Sequence, residues 1–439
     1  MCRPAGQRSR TVQPRVDAPR WADYELGPDM AEEDQPRHVI ILGAGASSTS
    51  GYPLADTLRL LMSSEKAVQR ELEKQGISDT DYAEKVIREM MGGPIKPTID
   101  LFRRGGFATV DEFSKLAGLR FPNEVQALKR LLRFVLALRD PEEEFHKSDY
   151  YRFIQRLFHK GLFPLRTDVA ILTFNYDPYL PYLADRAYMT RCQAAGASGW
   201  AAGDAPLTSG FLTRAVGSLE DGTSLCVLLL HGSIAWPRKR VGENVIAYDD
   251  LFGSSAQERL EKLCFSQAAA SQPPLIFPWE ILDDKRSFLS ELDFCLREQM
   301  GIFQHRQGGY DGHITLHQLF MAIWKRARKE INRATKISFV GLSMHDFLDP
   351  AFEFLFAERK ANAAIVCVNR DHRNFRSQDD VEAHTSARSP TFKLRRLLKR
   401  ICPAITGVPN RGERQVWLDG GATVRVRETF EEFIQNEMD

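Results

Sequence analysis

Six small residues follow an apolar run near the start of the chain, in a pattern that could bind a phosphate. They are Gly43-Ala44-Gly45-Ala46-Ser47-Ser48, directly after His38–Leu42. The pattern predicts a buried strand that turns into a helix starting near Pro53, whose free N–H groups and partial positive charge favour an anion. We expect Gly43 to adopt backbone angles closed to other residues and Gly45 to leave the backbone open to a phosphate. A dinucleotide fingerprint would have a third glycine where this chain has Ser48, so a simple tight turn before a helix is the alternative.

Polar residues also follow later apolar runs, at the point where each run ends. These runs are Val169–Phe174 before Asn175-Tyr176-Asp177, Leu225–Leu230 before His231-Gly232, Ile337–Val340 before Gly341-Leu342-Ser343, and Ala364–Val368 before Asn369. Continuous β-branched runs are typical of a parallel sheet that is covered on both faces. Ligands of such sheets bind outside the carboxyl ends of the strands. The polar residues at these strand ends are therefore predicted to converge on the Gly43–Ser48 turn.

Each of these polar residues also has a purely structural interpretation. Asn175 could cap the helix that follows, and His231 could be a hydrogen-bonded core histidine. Asp177 could serve in a turn, and Ser343 could cap the next helix. The chemical interpretation is favoured for Asn175, because it sits within the five-residue motif Thr173–Asp177, and for His231, because it directly follows a strongly apolar run and precedes Gly232. The structural interpretation is favoured for Ser343, and Asp177 fits both.

The ordered set of motifs resembles the sirtuin superfamily, and most closely its bacterial sirtuin-like NAD-cleaving proteins of anti-phage defence. The matching segments are Gly43–Ser47 with Gly51-Tyr52-Pro53, Thr173–Asp177, His231-Gly232, Gly341-Leu342-Ser343 and Val368-Asn369. The resemblance implies that the glycine turn holds the NAD diphosphate, through Gly43, Ala44, Gly45, Ser47 and Pro53. It also implies that Asn175 and His231 act at the nicotinamide ribose. By the same resemblance, Gly341, Ser343 and Asn369 contact the adenosine half.

Several departures argue against a sirtuin-type deacylase. Its zinc module needs two close cysteine pairs, whereas the seven cysteines here form no Cys-x-x-Cys pair, so no metal is expected. Deacylases continue their glycine turn with Gly-Ile-Pro-x-Phe-Arg, but Leu54-Ala55-Asp56 follows Pro53. The segment nearest to their peptide-binding strand contains Pro278, which lacks the N–H needed for strand addition. A histidine group, His305, His313 and His317 near Asp311, fits no standard set of metal ligands.

These observations predict an NAD glycohydrolase, which releases nicotinamide and ADP-ribose. Nicotinamide leaves as a neutral molecule from a pyridinium cation, so the site needs to hold the substrate, place a water and stabilise an oxocarbenium-like transition state. His231 would act as a base, and Asn175 would hold the ribose hydroxyls or the water. Asp177 would contact the nicotinamide carboxamide or orient the loop in which it lies. An NAD-dependent protein deacylase and a catalytically silent dinucleotide-binding sensor or scaffold are the alternatives.

The predicted fold class is α/β, a Rossmann-like parallel sheet with helices on both faces and large helical insertions. We expect a disordered tail over residues 1–36 and one sirtuin-like Rossmann domain over 37–439, with insertions at about 57–160 and 241–334. Apolar residues at three- and four-residue steps predict the helices of these insertions. The predicted helices are Leu54–Met62, Lys66–Lys74, Tyr82–Met91, Val110–Leu116, Glu124–Leu138, Tyr150–Phe158, Ala256–Phe265, Ser287–Met300 and His317–Arg333. Glycine and proline at 92–94 predict a loop, a basic helix is expected over Thr391–Ile401, and a strand–helix pair is expected over Ala422–Arg427 and Phe430–Asn436.

Composition and charge exclude several other classes. The formal net charge of the 439 residues is +1, so no global field attracts nucleic acid or an anionic membrane. No apolar run reaches transmembrane length, and scattered cysteines do not suit a secreted disulfide framework. We therefore expect a cytoplasmic protein without direct nucleic-acid binding. The family resemblance implies a homo-oligomer, completed by a partner such as a translocase ATPase or an argonaute-like sensor.

Overall fold

A seven-stranded sheet forms the centre of the protein in the computed structural model. The structure describes residues 37–48, 52–107, 109–120, 122–139, 147–157, 168–180, 183, 226–234, 255–265, 275–282, 293–295, 313–342, 348–359, 363–368, 417–419, 422–427 and 429–438. The sheet strands are β1 (Arg37–Leu42), β2 (Val169–Thr173), β3 (Cys226–Leu229), β6 (Ala334–Val340), β7 (Ala364–Val368), β8 (Trp417–Asp419) and β9 (Ala422–Arg427). A separate two-stranded sheet pairs β4 (Asp293–Cys295) with β5 (His313–Thr315).

The strand order of the large sheet is β3-β2-β1-β6-β7-β9-β8, and only the last pair, β8 with β9, is antiparallel. Leu42 at the end of β1 pairs with Thr173 on one side and Val340 on the other. The carboxyl ends of the parallel strands therefore meet at one edge of the sheet, with β1 between β2 and β6. This arrangement confirms the predicted α/β sheet.

Helices surround and extend the sheet. They are α1 (Ala44–Ser47), α2 (Ala55–Ser63), α3 (Glu65–Lys74), α4 (Thr80–Met91), α5 (Lys96–Arg104), α6 (Val110–Arg120), α7 (Pro122–Ala137), α8 (Asp149–Arg156), α9 (Ala256–Leu260), α10 (Pro278–Leu282), α11 (Leu316–Arg333), α12 (Asp349–Phe356) and α13 (Phe430–Glu437). A 3-10 turn over Gly93–Ile95 and a π turn over Glu261–Phe265 add to them.

The first two residues of β1 contact two different helices. Arg37 forms an ion pair with Glu330 of α11 at 2.6 Å. The next residue, His38, packs its ring against Phe433 of α13, with 6.2 Å between the ring centroids.

Two residues of β6 show which helices cover the two faces of the sheet. Lys336 donates to the carbonyl of Glu437 in α13 at 2.8 Å, and Phe339 stacks against Phe356 of α12 with 5.8 Å between the ring centroids. Because successive side chains of a regular strand point to opposite faces, α12 and α13 cover different faces. Helices on both faces explain why β3, β2, β1, β6 and β7 are buried over most of their length.

The helices of the first insertion match the sequence prediction closely, with one exception. Lys96–Arg104 is a helix, although the glycines and proline at 92–94 predicted a loop and nothing beyond it. Those residues form a 3-10 turn that leads directly into α5, and a proline in the first turn of α5 is compatible with a helix start. Breaker residues therefore mark the boundary between two helices here.

The second insertion departs from the prediction at one point. A helix was expected over Ser287–Met300, but β4 lies within that range and pairs with β5 through Phe294 and Ile314. A cross-strand partner overrode the local helical period, because strand pairing depends on residues distant in sequence. The predicted tail at 1–36 and the predicted helix at Thr391–Ile401 lie outside the described residues.

All described elements belong to one unit, Pro36–Asp439. Across the parts of the chain that the structure describes, we find no helix with the length and apolar character to span a membrane.

Candidate active site

The Gly43–Ser48 turn packs against the end of β6. The N–H of Gly43 donates to the carbonyl of Val340 at 2.9 Å, and the N–H of Gly45 donates to the carbonyl of Gly341 at 2.8 Å. The following helix, α1, begins at Ala44, and α2 begins at Ala55, two residues after Pro53. The expected turn into a helix is present, but two of the N–H groups that a phosphate could use are already donated to β6 and the residue after it.

The glycines of this turn are explained by close backbone contact. Gly43 has φ −120° and ψ 180°, an extended conformation that any residue adopts, so the predicted need for unusual angles is wrong. A Cβ on Gly43 would lie 2.6 Å from Cα of Leu342, and one on Gly45 would lie 2.8 Å from Cα of Gly341. Gly341 itself has φ +62°, and its Cβ would lie 2.3 Å from the nitrogen of Ala46. Only glycines let the two segments approach this closely.

Asn175 follows β2 and lies beside the turn. Its backbone N–H donates to Oγ1 of Thr173 at 3.0 Å, and its Nδ2 donates to Oγ of Ser47 at 3.4 Å. The residue is 5% exposed. Its Oδ1 has no hydrogen-bond partner within the described residues. Asn175 therefore presents a buried, unsatisfied acceptor.

Asp177 is held by two hydrogen bonds. Ser47 donates its hydroxyl to Oδ2 at 3.0 Å, and the backbone N–H of Tyr179 donates to Oδ1 at 3.1 Å. Burial raises the pKa of Asp177 to about 6, while these hydrogen bonds act to lower it. Asp177 is thus ionised at neutral pH and fixed in position against the turn.

His231 lies just beyond the end of β3 and is 2% exposed. Its ring packs edge-on against Phe174, with 5.2 Å between centroids, and tilted against Tyr176 at 4.7 Å. Burial lowers the pKa of His231 to about 3, and the backbone of Phe174 opposes this shift only in part. Neither ring nitrogen meets hydrogen-bond geometry with another described residue. The imidazole is therefore neutral at pH 7 and a weak base in this structure, and its two ring nitrogens can form hydrogen bonds to a bound ligand.

Asp111 is a site residue that the sequence analysis missed. It lies in the first turn of α6, which Thr109 caps by accepting from the N–H of Glu112 at 3.2 Å. The hydroxyl of Tyr176 donates a hydrogen bond to Oδ1 of Asp111. Burial raises the pKa of Asp111 to about 6, and the bond from Tyr176 acts to lower it. The Thr-x-x-Glu capping pattern could have placed Asp111 at a helix start, but nothing local shows that this helix start reaches the site.

These residues line one cleft at the carboxyl edge of the sheet, with a cavity volume of about 90 Å³. Its lining residues are Gly43, Ala44, Tyr52, Pro53, Leu58, Thr109, Val110, Asp111, Leu136, Phe174, Asn175, Tyr176, Asp177, His231, Leu342 and Leu348. Among the predicted residues, Gly45, Ser47 and Gly341 lie behind this lining, and Ser343 and Asn369 lie outside the described residues. Within the part of the chain that the structure describes, the lining includes no lysine or arginine.

The segment around Pro278 packs next to His231. Leu275 forms an antiparallel bridge with Gly232, and the N–H of Ile276 donates to the carbonyl of His231 at 3.1 Å. Pro278 begins α10, so the extended part of the segment ends there. The bridge to Gly232 uses backbone hydrogen-bonding groups of both segments.

Among the described residues, no group of three or more His, Cys, Asp or Glu side chains is placed to bind a metal ion. The histidine group at 305–317 falls where side chains are not described. Within the described residues, Cys226, Cys264 and Cys367 form no disulfide bond.

The sheet order and the cleft at its carboxyl edge define an α/β protein of the Rossmann-like class. No protein-family model and no curated protein matches the chain. Among solved structures, the chain is similar to a Sir2 protein in complex with the inhibitor EX-527, 2'-O-acetyl-ADP-ribose and a deacetylated p53 peptide. The two chains are 15% identical, the match covers 83% of this chain and 93% of that chain, and the TM-score is 0.28. A score this low says nothing of function, which has to be inferred from the cleft itself.

Proposed function

We propose that the protein is an NAD glycohydrolase that cleaves NAD to nicotinamide and ADP-ribose. One observation carries the proposal: Asn175 and His231 bring unpartnered polar atoms, at 5% and 2% exposure, to the same cleft. A buried polar atom without a partner lowers the stability of the protein by about 1–3 kcal/mol. A bound ligand that hydrogen-bonds to these atoms recovers that free energy, which favours a polyhydroxylated ligand such as a ribose.

The chemistry of the cleft suits this cleavage. The bond between the anomeric carbon and the pyridinium nitrogen breaks with its electron pair on nitrogen, so nicotinamide leaves neutral. A water molecule adds to the resulting oxocarbenium-like carbon and loses one proton. His231 would accept a proton from that water or from a ribose hydroxyl once the activated, ligand-bound state raises its pKa from about 3 towards neutrality. Asn175 orients the same hydroxyls or water, and Asp177 braces the loop through Ser47.

The low exposure of both residues also supports an idle resting state. An unrestrained enzyme of this kind would drain the NAD of its own cell, so we propose a triggered anti-phage defence effector in the cytoplasm. The restraint would come from assembly: a homo-oligomer, completed by a partner of the translocase-ATPase or argonaute-like class. Light scattering, together with NAD turnover measured across protein concentration and with the products of neighbouring genes, tests this part. A monomer with constant, high specific activity on its own would contradict it.

The activity is tested by incubating the full chain with NAD and quantifying nicotinamide and ADP-ribose. We expect Asn175→Ala and His231→Gln each to lower turnover by about a hundredfold or more. His231 is packed between two aromatic rings, so glutamine is used to limit the cavity. His38→Gln is the matched control, because His38 is also a buried histidine but lies on β1 and bonds Ser338.

Other outcomes point to the alternatives. Release of nicotinamide that depends on an acyl-lysine peptide, or zinc at one atom per chain by elemental analysis, would favour a deacylase. Tight NAD binding without turnover under any activating condition would favour a sensor or scaffold module. Full turnover by both variants would remove Asn175 and His231 from the mechanism.

A further inference from the structure

We propose that Asp111 selects the oxidised, positively charged form of the nicotinamide ring over the reduced, neutral form. This inference rests on the proposed function, because it names the chemistry of the substrate end that enters the cleft. Asp111 comes from the first helical insertion, which the proposed mechanism does not otherwise use.

The position of Asp111 is fixed from two sides. Thr109 caps the start of α6 and so sets the orientation of the first turn, where Asp111 lies. The hydroxyl of Tyr176 then donates to the Asp111 carboxylate. A carboxylate with a committed donor holds a defined geometry, which a charge-recognising group requires.

Tyr176 links Asp111 to the reactive end of the cleft. Tyr176 lies between Asn175 and Asp177 in sequence, and its ring centroid is 4.7 Å from that of His231. The residues assigned to the nicotinamide ribose and Asp111 therefore share one neighbour. A pyridinium ring bound next to His231 would lie close to the Asp111 carboxylate.

The charges of the cleft favour a cation at this point. Asp111 and Asp177 are the two carboxylates of the lining, and its described residues include no lysine or arginine. Asp177 already accepts from Ser47 and from the backbone of Tyr179, so its oxygens are committed to the loop. Asp111 is half-buried, and with a pKa of about 6 its carboxyl group is ionised at neutral pH. A positively charged ring next to it offsets the unfavourable burial of that charge.

The test measures binding, separately from turnover. The probes are carbocyclic NAD, which keeps the pyridinium charge but lacks the ring oxygen needed for an oxocarbenium ion, and its reduced, neutral form. Calorimetry on the full chain at pH 7.5 gives the affinity ratio of the two probes. For the native sequence we expect the oxidised probe to bind about tenfold more tightly or better. The attraction between a carboxylate and a pyridinium cation at the edge of a low-dielectric site is large enough for such a preference.

Asp111→Asn is expected to bring the ratio of the two probes close to one, mainly through weaker binding of the oxidised probe. Asparagine keeps the acceptor for the Tyr176 hydroxyl, so the geometry is conserved while the charge is lost. Tyr176→Phe is expected to reduce the ratio in part. Asp81→Asn, the same change at an exposed position of α4, is the control and should leave the ratio unchanged.

The outcomes separate this inference from the proposed function. If Asp111→Asn keeps the native ratio, or weakens both probes equally, the selection by Asp111 is overturned, even if NAD is cleaved. If the ratio depends on Asp111 but native protein does not cleave NAD under any of the activating conditions, the inference stands and the glycohydrolase proposal falls. If the native protein binds neither probe, both fall.

Discussion

Ser47 donates its hydroxyl to Asp177 at 3.0 Å and accepts a hydrogen bond from Asn175 at 3.4 Å. One buried hydroxyl thus joins the turn after β1 to the loop after β2, and it fixes the two polar residues of that loop relative to the glycine turn. The contact gives Ser47 a positioning role behind the cleft lining.

Ser47→Ala removes both bonds without adding volume. We expect kcat for NAD cleavage to fall roughly ten- to hundredfold, because catalytic geometry is lost, while KM changes little. Ser63→Ala is the control, since Ser63 bonds the carbonyl of Arg59 on α2, away from the cleft. Equal kinetics for the two variants would show that Ser47 does not position the loop.

Gly341→Ala should destabilise the protein far more than a glycine substitution with the same backbone angle elsewhere. Gly341 and Gly93 have φ of +62° and +61°, but only Gly341 faces backbone, because a Cβ added to it would lie 2.3 Å from the nitrogen of Ala46. We expect a loss of about 1–2 kcal/mol for Gly93→Ala and about 3–5 kcal/mol for Gly341→Ala. Urea unfolding measures both, and similar losses would contradict the close approach.

Asp111→Asn should stabilise the protein in a pH-dependent way. The pKa of Asp111 is raised from 3.8 to about 6 on folding, so its contribution to stability is present below pH 3.8 and is lost as pH rises through 6. The variant should match the native protein near pH 4 and exceed it by about 1–2 kcal/mol above pH 6, with allowance for partial exposure. Denaturant unfolding from pH 4 to 8, with Asp81→Asn as control, measures this. A difference that does not change with pH would refute it.

Lys129 of α7 and Glu280 of α10 form a buried ion pair at 2.8 Å, with both side chains at most 1% exposed. Glu280 also accepts from the N–H of Phe277 at 2.8 Å. We expect Lys129→Met alone to cost about 3–5 kcal/mol, because it leaves a buried carboxylate unpaired. Adding Glu280→Gln should restore most of this loss, since glutamine is neutral and still accepts from Phe277. Additive losses in a double-mutant cycle would show that the two side chains act independently.

The sequence predicted those parts of the fold that depend on local pattern. The strands β1, β2, β3 and β7 and the second half of β6 are mostly apolar, and α7 repeats apolar residues at helical steps, so each was found within a few residues. The convergence of Asn175 and His231 followed from the rule that parallel strands end at one edge. Asp111 could not be predicted in this way. The sequence around it indicates only the start of a helix, and Asp111 reaches the cleft through the tertiary packing of that helix. The need for Gly43 was also beyond local reasoning, since it depends on Leu342, a residue far along the chain.

The position of β6 in the sheet has a consequence for synthesis. His38 on β1 bonds Ser338 on β6 at 2.7 Å, although the two are 300 positions apart. At about 5–20 residues per second, the ribosome needs roughly 15–60 s to make the chain between them. During that time one edge of the apolar β1 lacks its partner, and an unpaired strand edge is a template for aggregation. The nascent chain also lacks Gly341, so the turn has nothing to dock on. This strand order is therefore expected to lower the yield of soluble protein on expression. Lower temperature or added chaperones should raise that yield.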